Sequence, residues 1–86
     1  MQLFFHLQAE AVRIVLQDAD VERGVAELND VRSLSQTLLP AVDALLRQNT
    51  LEVHDVESIG MQSAMSPVFT SYRIVEATVK SLNVKI

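Results

Sequence analysis

The 86-residue chain has no cysteine, only two glycines and two prolines, and few basic side chains. Without thiols there is neither a disulfide framework nor a thiolate metal site, and a reducing, cytoplasmic setting fits best. Gly24 and Gly60 stand 36 residues apart, so there is no glycine-rich phosphate loop; neither a nucleophile elbow nor a His-x-x-x-His pair occurs. Apolar runs such as Leu38-Leu39-Pro40-Ala41-Val42 reach five residues at most, against the roughly 20 needed to span a bilayer. No membrane span is expected. The opening Met1-Gln2-Leu3-Phe4-Phe5-His6-Leu7 lacks the basic region and long apolar region of a signal peptide. Seven bases against eleven acids give a net charge of −4, the wrong sign for binding nucleic acid by neutralising phosphates. The imbalance is concentrated in residues 1–60, which carry −6, while residues 61–86 carry +2. Such an acidic portion is either a solvated surface or a face for a basic protein partner.

What the chain does have is apolar content, at 49% of residues, with no low-complexity stretch. That composition suits a single small folded domain over residues 1–86. Residues 3–7 and 12–16 are rich in β-branched and aromatic types. Val12, Ile14 and Leu16 alternate with Arg13 and Gln17, a two-residue period that predicts strands. A helix competes for the same segment, because Phe4, Leu7, Ala11 and Ile14 also fall at helical spacing.

Asp30 is positioned as N-cap for a helix reaching Gln48, with Val31, Leu34, Leu38, Val42 and Leu45 on one face and Pro40 as a kink or early stop. Asn49 suits a left-handed helix end, and residues 50–53 then read as a brief strand. Residues 54–65 read as a loop. Ser66-Pro67 predicts a helix start, and Val68, Tyr72, Val75, Val79 and Leu82 continue at helical spacing, with Met61 and Met65 extending the stripe backwards. Val84-Lys85-Ile86 alternates again as a last strand. The expected order is β-β-α-β-α-β, an α/β domain in which helices pack on a small mixed sheet.

Residues 38–47, Leu-Leu-Pro-Ala-Val-Asp-Ala-Leu-Leu-Arg, and 51–60, Leu-Glu-Val-His-Asp-Val-Glu-Ser-Ile-Gly, resemble STAS domains, the fold of anti-sigma factor antagonists and sulfate-transporter tails. Glu52, Val56 and Ile59 fit that family's spacing. The resemblance implies a non-catalytic regulatory domain that docks a protein through the loop and N-terminus of its second helix, around Gly60, Met61, Gln62, Met65 and Phe69. Its implied partners are an anti-sigma kinase or a transporter ATPase. The family's Asp followed by Ser or Thr is replaced by Gly60 and Met61; with a two-residue insertion Ser63 becomes the phosphoacceptor, and Ser66 and Ser58 are the neighbouring hydroxyls. For Ser66 the N-cap role suffices. Asp18 stands where the family has a glycine. Measured against the family, the chain lacks the usual C-terminal helix, which implies a homodimer or complex that supplies the cover.

The Glu52, His54, Asp55 and Glu57 cluster offers a single imidazole on alternating positions and reads as a solvated acidic edge, so no metal or cofactor is expected. No nucleophile, base and orienting group come together, and no enzyme is expected. A competing expectation is an all-α adaptor of three amphipathic helices that self-associates.

Overall fold

The computed structural model describes residues 1–8, 11–63 and 70–85. Alternation makes strands of both N-terminal segments: β1 (Gln2–Leu7) buries Leu3, Phe5 and Leu7, and β2 (Val12–Asp18) buries Val12, Ile14 and Leu16. They pair antiparallel, with Phe5 opposite Ile14. A third strand, β3 (Val21–Leu28), follows a hairpin turn in which Ala19 takes a positive φ of 56°. It carries Glu22, Arg23, Gly24 and Glu27, so its inward residues, Ala26 and Leu28, are too sparse to announce a strand by alternation. A register shift at Leu16/Gln17 bends the pair and offsets the two sides of the hairpin.

Asp30 does cap, but it caps a 3-10 turn (Val31–Ser33) that leads into the helix α1 (Leu34–Gln48). Its carboxylate accepts from the Arg32 N–H at 3.1 Å and from the Ser33 hydroxyl at 3.1 Å. Pro40 does not end the helix. Its missing N–H would have met the carbonyl of Gln36, and both residues lie on the exposed side, where water can serve that carbonyl. The helix ends in a Schellman turn: Leu51 N–H bonds to Leu46 O at 2.9 Å and Thr50 N–H to Arg47 O at 3.0 Å. The left-handed residue is Thr50, with φ 59°, one position beyond Asn49.

Residues 50–53 are therefore a turn and not a strand, and they run into a 3-10 turn at Val53–Asp55. Within the expected loop of residues 54–65 lies β4 (Ser58–Ser63), which pairs parallel with β1 and sets Phe4 opposite Gly60. The helix α2 (Thr70–Lys85) includes Val84 and Lys85, so the expected terminal strand is the end of a helix. Ser66 and Pro67, the expected helix start, lie outside the described residues, as do Met65, Phe69 and Ile86.

The sheet order is β3-β2-β1-β4, with α1 against β3, α2 against β4 and β1, and the two helices touching. The α/β class with a small mixed sheet holds. The element order is β-β-β-α-β-α, one strand earlier and one strand fewer at the end than expected. Four strands also exclude the all-α adaptor. One core unites both helices with the inward face of the sheet, where Leu3, Phe5, Ile14, Leu16, Leu34 and Val75 are all fully buried. Gly24 lets α1 come close: a Cβ there would meet Leu45 Cδ1 at 3.0 Å and Asn49 Nδ2 at 3.1 Å.

Candidate docking groove

The Schellman turn positions the most distinctive surface of the molecule. Reversing direction at Thr50, it folds Leu51 back over Leu46 and lays Val53 beside the C-terminal half of α1. Leu82, from the last turns of α2, closes the other side. The result is a groove of about 280 Å³ lined by Leu39, Val42, Asp43, Leu46, Val53 and Leu82. A second hollow of about 450 Å³ shares Asp43, Leu46 and Val53 and runs on past Leu51, Arg47, Glu52 and His54. Leu46, Val42 and Leu82 form a buried floor, whereas Leu39 is 49% exposed and stands on the rim.

The polar rim is built from local pairs. Arg47 Nε lies 3.0 Å from Asp43 on the next turn of α1, and His54 Nε2 lies 3.1 Å from Glu52 Oε2. The Asp55 carboxylate accepts the Glu52 N–H at 2.8 Å, which fixes the 3-10 turn. These groups are exposed, so their pairs hold geometry more than they contribute stability. The acidic edge expected around Glu52, His54, Asp55 and Glu57 is thus split: Glu57 lies instead 3.8 Å from the N-terminal ammonium of Met1. No group of three or more metal-ligating side chains occurs among the described residues.

The expected docking and phosphoacceptor residues belong to a different part of the fold. Ser58, Gly60, Met61, Gln62 and Ser63 are five of the six positions of the strand β4, not a loop. Met61 packs against the core, so it cannot extend the α2 stripe. Gly60 lies under Phe4, whose ring atoms come within 3.4 Å of the place a Cβ would occupy. Ser58 begins the strand and is exposed; Ser63 ends it. Met65, Ser66 and Phe69 lie outside the described residues. A shallow hollow of about 290 Å³ at the ends of β1 and β4 is lined by His6, Leu7, Gln8, Gln62 and Ser63. His6 pairs with Gln62, and Leu7 with Ser63, so the imidazole and the hydroxyl point to opposite faces of the sheet.

The groove residues had one signal in the sequence. The doublets Leu38-Leu39 and Leu45-Leu46 recur seven residues apart, so α1 has a wider apolar arc than a single buried stripe requires. The first member of each doublet fills the core, and the second faces the groove. The contributions of Leu51 and Val53 depend on the turn at Thr50 and had no such signal.

No family model matches the chain, and no curated protein matches it. Solved structures do. "YeaZ from Pseudomonas aeruginosa" superposes with a TM-score of 0.82 at 24% identity, covering 98% of this chain and 38% of that one. A second structure, "an uncharacterized protein with similarity to peptidase YEAZ from Pseudomonas aeruginosa", gives the same values. This chain therefore spans 38% of the length of these neighbours, and what they share with it is the fold. They overturn the expected function as an anti-sigma factor antagonist or STAS accessory subunit, because the solved structures that share this fold are YeaZ and a protein described by similarity to it.

Proposed function

We propose that this chain is a non-catalytic protein-docking unit of YeaZ-like fold, acting in the cytoplasm, and that its binding surface is the groove between α1, the 3-10 turn at Val53–Asp55 and α2. The observation that carries this reading is the groove itself: an apolar floor continued to the surface by Leu39, at 49% exposure, with charged side chains around it. Large exposed apolar side chains beside a concave apolar floor suit a protein surface better than a small polar substrate. Although one neighbour is described by similarity to a peptidase, the cleft at the ends of β1 and β4, which contains both the His6 imidazole and the Ser63 hydroxyl, directs them to opposite sides of the sheet. That arrangement does not give the nucleophile and base of a serine hydrolase.

A photo-crosslinking amino acid placed at Leu39, in the native host, tests this reading. A discrete protein adduct is expected from position 39 and none from exposed Gln48 on the other side of α1. Equal labelling from both positions overturns the groove as the binding surface, and cleavage of a peptide substrate by the purified chain overturns the non-catalytic assignment.

A further inference from the structure

Resting on that groove, we infer that its occupant is a basic amphipathic helix of a protein partner. Two observations lead there. The α1 wall is built of rows four residues apart, Leu39 to Asp43 and Val42 to Leu46; such i to i+4 rows are ridges, and the furrow between two of them receives a ridge of another helix. The second observation is charge. Among the described residues that line the two hollows are the carboxylates of Asp43 and Glu52 and one permanent cation, Arg47, which lies against Asp43. An arriving helix with lysines or arginines beside its apolar face meets net negative charge on this rim, and one with carboxylates there is repelled.

The test uses the purified chain and two labelled helical peptides. Both have leucines three and four residues apart; one has lysines flanking them and the other glutamates. Fluorescence anisotropy at low salt is expected to show the lysine peptide binding at least about tenfold more tightly, with the difference shrinking as salt rises. The double variant Asp43→Asn, Glu52→Gln is expected to remove most of that preference. Leu39→Asp, at an exposed position, is expected to abolish binding while the circular dichroism spectrum stays unchanged.

Equal affinity for the two peptides, with both lost in Leu39→Asp, overturns the basic partner and leaves the groove as a docking site. Binding indifferent to Leu39→Asp, or no binding of either peptide, overturns the groove and the inference with it. A dimer that dissociates in Leu39→Asp overturns the inference in another way, since the occupant is then a second copy of the chain.

Discussion

The two faces of the sheet are made by the same strands and have opposite fates. On one, Leu3, Phe5, Val12, Ile14 and Leu16 are fully buried beneath α1 and α2. On the other, Phe4, His6, Arg13, Val15, Val25 and Gln62 face away from both helices. Yet Val15, outside the main core, is only 5% exposed. Its neighbours across the strands are Phe4 and Val25, and no helix among the described residues packs on that side. Burial on the helix side comes from tertiary packing, and burial on the open side comes from cross-strand contacts. The two therefore differ in what each side chain contributes.

The largest expected effect is on the covered face. Phe5→Ala removes a fully buried ring from the middle of the core and is expected to cost about 3–5 kcal/mol in urea unfolding. For a domain of this size that is a large fraction of total stability. Next comes Gly24→Ala, which pushes a methyl group into Leu45 and Asn49 at contact distances of 3.0 and 3.1 Å. Overpacking there is expected to cost about 1–3 kcal/mol and to shift α1 away from β3, visible as changed amide chemical shifts along both. Phe4→Ala, on the open face, is expected to cost about 1 kcal/mol, because its ring is only partly removed from water. If it costs as much as Phe5→Ala, the open face is a second core and the contrast fails. Val25→Thr, at 44% exposure, is expected to move stability by less than about 0.5 kcal/mol.

The same contrast explains what could be read in advance. β1 and β2 were legible because each alternates one buried and one outward residue, and α1 because its leucines recur at three and four. β3 was not, since Glu22, Arg23 and Glu27 interrupt its pattern and only Ala26 and Leu28 reach the core. β4 was read as loop because Ser58, Gly60, Gln62 and Ser63 have weak strand preference; it is a strand because β1 supplies a parallel partner. Val84 and Lys85 alternate by chance at the end of a helix. For the groove, the helical wall could be inferred from the leucine doublets, but its opposite wall is set by a left-handed Thr50, a conformation that β-branched residues seldom adopt and that no propensity would suggest.

Phe4 and Gly60 add something beyond burial. They are direct partners across β1 and β4, and the ring lies where the glycine has no side chain. β4 has a single glycine, so a slip of one residue places Phe4 against Ile59 or Met61 and removes the gap that receives it. The pair acts as a key and notch that specifies how a short, uncharged parallel strand aligns with its neighbour, a job the turn of a hairpin performs elsewhere in the sheet.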